Sequence, residues 1–481
     1  MSHHIPGNSR SQATFFPEVL DDFVSADNPV RVIDVFVNEL DLKALGFLGV
    51  VPKDTGRPNY HPAMLLKLYL YGYLNHIQSS RRLEREANRN IELMWLTERL
   101  APDFKTIADF RKNNGKGIKQ SCRTFIGLCR QLNMFSDAVV AIDGSKFKAS
   151  NNKSNNYTPK KVQAAIDRTE KHISQYLAQL DKSDDKEKES DVTPIQEKIT
   201  YLKTRLAELR LLKDAVEAHP DKQISTIDPD SRLLNTTGME TKVCFNLQSV
   251  VDCKHHLIVA HEVTNSTDKN QLCRMGKQAQ TAVGIKELTL LADKGYFSGQ
   301  DIMDAQDAGM IPLVPRVDTS GSGKKGIFNR SLFKYDAERN LYICPANQEL
   351  TFRSTVKEDG LNLNTYFCSN TICRECPLKE KCTTSNFSRR MKRWEHTDRL
   401  DKMTALLESK PDSMLIRKST VEHPFGTIKF WMGATHLLTR RFKGVSIEMD
   451  LHVLAYNLKR MISIFGVNGL IEALMAESFQ A

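Results

Sequence analysis

The chain has 481 residues and 40% hydrophobic content, enough for several cores and about three domains. Its formal net charge of +10 and pI near 9.0 favour a polyanionic partner over an acidic one. No run of about 18 apolar residues exists and the polar start MSHHIPGNSRSQ lacks the centre of a secretion signal, so neither a membrane span nor export is expected. Ten cysteines without such a signal fit a reducing cytoplasm better than a disulfide framework.

Residues 1–12 read as a disordered tail, and residues 16–135 as helical throughout. Pro62 fits the first turn of a helix carrying Leu65, Leu66, Leu68, Tyr69 and Leu74. A basic helix follows around SSRRLEREANRN, then two more, broken at Asn114-Gly115. Interspersed cations in short helices suit DNA phosphates, with Arg81, Arg82, Arg85, Arg111, Lys112 and Lys116 as contacts. The plainer reading is the solvated face of a helical bundle.

Beta structure begins with AVVAID near residue 138. From 160 to 217, Val162, Ile166, Ile173, Leu177 and Leu180, then Ile195, Ile199, Leu202, Leu206, Leu209 and Leu212, recur at helical steps around the charged turn DKSDDKEKESDVTP. That pattern predicts an antiparallel helical hairpin. TKVCFNLQSVVD and HLIVAHEVTN read as adjacent strands. A helix capped by Ser266 or Thr267 follows, then the strand LTLLAD, a helix closed by Gly309 and the strand MIPLVPR. This order is that of an RNase H-like core with the hairpin spliced between its first two strands. The basic loop TSGSGKKG leads to short strands and a cysteine cluster, and the remainder reads as mainly helical.

The expected fold is therefore α/β. An all-α DNA-binding domain (1–135) precedes an RNase H-like core in parts (136–158, 223–316). A helical-hairpin insert (159–222), a Cys-rich insert (317–397) and a C-terminal helical part (398–481) complete it.

Three acids carry the chemistry. Asp143 ends the first core strand and Asp293 the fourth, which adjoin in that topology; Glu422 lies in the helical stretch STVEHPFGTIKFW. Paired carboxylates repel unless cations bind, and Mg²⁺ takes oxygen ligands while keeping waters for a phosphate. Taken singly, each aspartate is an ordinary turn residue, and Asp143-Gly144 is itself a turn signal. Asp228 and Asp230 read as a turn, and Asp252 as the start of a hairpin turn.

The stretches AIDGSKFKA, STIDPDSR, FNLQSVVD, LIVAHEVTN, LLADKGY, VEHPFGTIK and LAYNLKR, in this order, resemble a DDE transposase of a bacterial insertion sequence, of the branch with an N-terminal helical domain and a cysteine-rich insert. The resemblance implies Asp143, Asp293 and Glu422 as a catalytic, Mg²⁺- or Mn²⁺-binding triad. It implies cleavage and strand transfer of double-stranded DNA by a homodimer or larger assembly, in the bacterial cytoplasm at the nucleoid. Lys429, seven residues after Glu422 and so on the same helical face, would clamp a phosphate. A related Tyr, Arg, Glu, Lys signature is departed from upstream, where Leu415 and Lys418 stand, with Arg417 beside them. Lys418, Arg440 and Arg441 are further DNA-contact candidates; Lys443 belongs to the same patch.

Cys368, Cys373, Cys376 and Cys382 lie within fifteen residues and suit a tetrahedral structural Zn²⁺, with Cys344 able to replace one ligand; the alternative is reduced thiols in a packed insert. Two rival functions remain: a nuclease of the same fold that does not join strands, and a domesticated DNA-binding protein without catalysis.

Overall fold

The computed structural model describes residues 19–52, 58–184, 192–235, 240–316, 326–358 and 360–476. The expected N-terminal tail, residues 185–191 of the hairpin's charged turn and all but the last glycine of TSGSGKKG lie outside these residues.

Six helices come first: α1 (Pro29–Asn38), α2 (Pro62–Leu74), α3 (Ser80–Ala87), α4 (Ile91–Leu96), α5 (Phe104–Asn113) and α6 (Gly115–Gln131). Local rules set their starts. Asn28 accepts the Val30 amide ahead of Pro29, and Asp103 accepts the Lys105 and Thr106 amides. Asn114 separates α5 from α6. Along α2, Leu66, Leu68, Leu70, Tyr69 and Tyr73 are all buried, so this helix is apolar around its circumference and runs through the interior. One continuous apolar core extends from Val24 through these helices and the main sheet to Leu474.

The main sheet contains β1 (Val139–Lys148), followed after the small strand β2 (Asn156–Tyr157) by two long helices, α7 (Pro159–Asp184) and α8 (Val192–Ala218). They pair through Val162, Ile166, Leu209 and Val216, with Arg210 on Glu170 at 3.0 Å. This is the expected hairpin, and β3 (Ile224–Ser225) pairs with β2 at its base. Then come β4 (Arg232–Asn235), β5 (Thr241–Asp252), β6 (Ile258–Thr264), α9 (Leu272–Val283), β7 (Thr289–Ala292), α10 (Gly299–Asp307) and β8 (Ile311–Leu313). The strand order is β4-β5-β1-β7-β8, with β6 also on β5. β1 pairs antiparallel to β5 and parallel to β7, and β7 parallel to β8.

One expectation is corrected here. α9 begins at Leu272, beyond Ser266 and Thr267, and its first amides, Leu272 and Cys273, bond to the Asp301 carboxylate at 2.9 and 3.1 Å. A carboxylate from the neighbouring helix does the capping, which local sequence does not reveal.

A second sheet follows: β9 (Lys334–Asp336), β10 (Leu341–Ile343), β11 (Glu349–Glu358) and β12 (Leu361–Phe367). After two short helices, α11 (Asn370–Arg374) and α12 (Lys379–Cys382), β13 (Met391–Trp394) completes it. It is antiparallel throughout and has its own core of Phe333, Tyr342, Leu350, Tyr366, Cys368 and Met391. Buried Arg393 ties it to α13 (Thr397–Glu408) through Asp398 and Asp401.

The chain ends with α14 (Ser413–Gly426) and α15 (Arg441–Ala476). α14 lies over β1 and β7, where Val421 joins Ala141, Leu291 and Leu313 in one apolar cluster. α15 is buried through Leu451, Leu454, Tyr456 and Leu458, and turns at Gly466 (φ 69°). Its first amides, Arg441 and Phe442, bond to Asp228 and Asp230 at 3.1 and 2.9 Å, so these two acids hold a helix start. Among the described residues no helix is long and apolar enough to cross a membrane.

Candidate active site

The parallel register sets Ile142 of β1 against Ala292 of β7. The next residue on each strand is an aspartate, so Asp143 and Asp293 stand side by side where the pair separates. Each accepts a nearby amide: Asp143 from Gly144 at 2.9 Å and Asp293 from Gly295 at 2.8 Å. Burial pushes the Asp143 carboxyl up from 3.8 to about 6; Arg417 opposes the rise, while Asp293 and Asp268 add to it.

The charge between the two acids is a guanidinium. Arg417 reaches down from α14 with Nη2 at 2.7 Å from Asp143 and 3.9 Å from Asp293. Its side chain is 13% exposed, and Nε and Nη2 lack an aligned hydrogen-bond acceptor. The contact is thus a close ion pair rather than a directed hydrogen bond. In the sequence Arg417 stands out only as a neighbour of Lys418; its reach to the strands depends on how α14 lies on the sheet.

Glu422 follows Val421, which packs on the strands carrying both aspartates, but its own side chain is 65% exposed, with Lys418 at 3.9 Å. Among the described residues no group of three or more His, Cys, Asp and Glu side chains stands ready to hold a metal ion. The structure brings Asp143 and Asp293 together and leaves the Glu422 side chain pointing outward.

Lys429 differs from the sequence expectation. Pro424 lies inside α14, and residues 427–431 form a π-helical turn. The wider turn departs from the regular helix that the seven-residue spacing assumes. Lys429 is half-buried against β1, donating to Ser145 Oγ at 2.6 Å and the Lys146 carbonyl at 3.0 Å, over the Phe147 ring.

The other basic candidates divide. Arg81, Arg82 and Lys112 are exposed on α3 and α5, while Arg111 is drawn inward, donating to the Tyr73 hydroxyl at 3.2 Å. Burial works against the Arg111 charge, but Tyr73, Tyr69 and Glu448 hold its proton on more tightly than usual. Lys418, Arg440 and Arg441 are exposed, with Arg440 donating to the Ser150 carbonyl at 3.2 Å.

Asp268, in the connection between β6 and α9, is not marked by any of the sequence motifs. Its Oδ1 accepts from Asn246 at 2.9 Å and Gln248 at 2.8 Å, and Lys146 lies 3.7 Å from Oδ2. The signal available was its place in the turn after a core strand, a weak one.

Asp252 is 2% exposed and accepts the Lys254 and His255 amides in the β5–β6 turn, as its position suggested. Burial pushes its carboxyl from 3.8 to about 6, against those two amide bonds. A raised folded-state value means that stability is full below the unfolded value and lost as pH rises through about 6. Asp252→Asn should therefore raise the melting temperature by a few degrees at pH 8 and leave it unchanged near pH 4. Equal shifts at both pH values, read by calorimetry, would refute this.

Cys344, Cys368, Cys373, Cys376 and Cys382 line one small cavity of about 30 Å³. Burial, then the neighbouring Cys368, pushes the Cys373 thiol up to about 11, and burial also raises Cys382 against the pull of Arg389. Among the described residues no three of these side chains stand placed to coordinate one ion.

Comparison with known families adds two matches. Residues 18–113 match a family described as Transposase domain (DUF772), and residues 343–462 match one described as Transposase DDE domain. The second covers the cysteine sheet, Glu422 and Lys429 but neither Asp143 nor Asp293. No curated protein and no solved structure gives a significant match. A transposase domain is matched in each half, and two aspartates pair on adjacent strands between them; together these support a DDE transposase of an insertion sequence.

Proposed function

We propose that the chain cuts DNA at the ends of its element and joins those ends to target DNA, using a divalent-metal centre on an RNase H-like sheet. The observation that carries this is the Arg417 guanidinium lodged between Asp143 and Asp293. Two carboxylates side by side need a positive charge, and their oxygen donors suit Mg²⁺ or Mn²⁺. When bound, such ions activate the attacking hydroxyl and stabilise the leaving oxygen. Asp143 and Asp293 would hold the ion, in the place the Arg417 guanidinium now fills. Glu422, on the turn of α14 that Val421 anchors to the strands, would be the third carboxylate. DNA phosphates take the exposed cations Arg81, Arg82, Lys112, Lys418, Arg440 and Arg441, with Lys429 fixed beside β1. A dimer or larger assembly on paired ends, at the nucleoid, completes the reading, with the α7–α8 hairpin as a candidate contact.

The test is incubation of the full chain with element-end DNA, a target plasmid and Mg²⁺. Joined product is the expected result. Cleaved ends that never join would reduce the protein to a nuclease, and intact DNA to a binding scaffold.

Zinc in the cysteine cavity belongs to this proposal only through the donor set. Five thiols share one cavity, so thiolates formed there would have partners. About one zinc per chain in purified protein is expected by elemental analysis; metal-free protein with an unchanged melting profile would remove it.

A further inference from the structure

We propose that Phe430 and Trp431 form a stacking platform for unpaired DNA bases, just beyond the helix that carries Glu422. The inference rests on the DNA-cutting reading above and adds to it a surface that holds an open strand end.

The first support is exposure on a rigid mount. Phe430 is 78% exposed and Trp431 68%. Apolar side chains scattered singly on a surface are ordinary, but two adjacent aromatic rings form a patch. Both stand on the π-helical turn of residues 427–431, a rare geometry found most often at functional sites. Ile428 on one side and Met432 on the other are buried in the core, so the turn is anchored at both ends while the two rings face water. An aromatic side chain on such a mount has few rotatable bonds to immobilise when it meets a partner.

The second support is the place of this turn. Gln78, from the α2–α3 connection, is buried and donates from Nε2 to the Met432 carbonyl. Gly433 lies against the same connection: a Cβ there would stand 3.7 Å from His76 Nδ1 and 3.8 Å from Gln78 Nε2. Arg82 donates to the His76 carbonyl at 3.4 Å, and Arg81 and Arg85 are exposed on the same helix, α3. The connection thus ties the arginine-bearing helix of the N-terminal region to the turn that carries the rings.

The third support, charge, selects the occupant. Lys459 of α15 holds Nζ 6.0 Å from the Trp431 ring centre, and Lys429 directly precedes Phe430. Cations around the patch attract a polyanion and repel a second copy of the same patch. Aromatic faces beside cations suit a nucleic-acid strand, whose bases stack on the rings while its phosphates follow the charges. Inside a duplex the base faces are already stacked on one another, so the platform acts where pairing is open. Strand ends are what the proposed cleavage makes.

The test is DNA binding to the full chain by fluorescence anisotropy, with a blunt duplex and the same duplex carrying a short unpaired 3′ tail. Phe430→Ala combined with Trp431→Ala should weaken binding of the tailed duplex by about tenfold or more and leave the blunt duplex nearly unaffected. The slope of affinity against salt should not change, because stacking releases no counterions, and the melting temperature should hold because both side chains are exposed. Native affinity of the double variant for the tailed duplex would overturn the platform and leave the DNA reading standing. A native chain that binds neither duplex would remove both. A double variant with native DNA affinity that falls from dimer to monomer in sedimentation would assign the patch to a second copy and overturn the proposal. Cross-linking of the native chain to 5-iododeoxyuridine in the tail guards against a misfolded variant. Adducts at residues 430 or 431 support the platform, and adducts only elsewhere overturn it.

Discussion

Asp143→Asn and Asp293→Asn each lower strand cleavage by about a thousandfold or more while the chain stays folded. The amide keeps the size of the carboxylate and can still accept the Gly144 or Gly295 amide. What it loses is the negative charge on which cation binding depends. Stability should not follow activity. Burial and the neighbouring acids raise the Asp143 carboxyl to about 6 despite Arg417, so its ionised form is the less favoured one in the fold. Neutralising it therefore should not lower stability at pH 8, where the ionised form is penalised, and should change nothing near pH 4. Glu422→Gln should match the loss of activity with no change in stability, because its side chain is exposed. Plasmid cleavage and calorimetry on the same samples check this. A cleaving Asp143→Asn variant would end the proposed mechanism.

Arg417→Met is expected to destabilise the metal-free chain by about 1–3 kcal/mol at pH 8, less than a fully buried pair because Asp143 is partly open to solvent. The substitution leaves two adjacent carboxylates without the guanidinium between them. It also removes the influence that lowers the Asp143 value, so the folded-state value climbs beyond about 6. A raised value costs stability as pH rises through it, so the deficit should be large at pH 8 and fade towards pH 4. Mn²⁺ should restore the variant at pH 8, because a bound cation supplies the missing charge and stabilises by mass action. Thermal unfolding across pH, with and without Mn²⁺, decides the matter. A deficit indifferent to both would show that Arg417 serves packing rather than charge.

Most of the frame was legible because its signals are local. The hairpin announced itself through apolar residues at helical steps, and Val162, Ile166 and Leu209 pack as that spacing requires. The core strands showed as short apolar runs; Asp293 follows β7 directly, whereas β1 continues past Asp143 to Lys148, so Asp143 lies within its strand where the parallel pairing to β7 stops. What escaped depends on contacts distant in sequence. Asp268 touches β1 and β5 from a connecting turn, and nothing around it distinguishes it from a cap. Arg417 meets Asp143 only because α14 crosses the sheet. The Glu422–Lys429 spacing assumed a regular helix, and the π-helical turn after Pro424 departs from it. The Asp301 cap on α9 is likewise a long-range bond.

The small β2–β3 ladder has a consequence for how the chain folds. β1 must find β5 across the whole α7–α8 excursion, a closure that is entropically slow for an unstructured segment. The hairpin can form by itself from nearby contacts, and its two-stranded base brings Asn156 back to Ser225. Once that clasp shuts, the separation left between β1 and β5 is only a short one. The insertion thus acts as a self-closing shortcut during folding, and loosening it should delay appearance of the native sheet more than it weakens the finished protein.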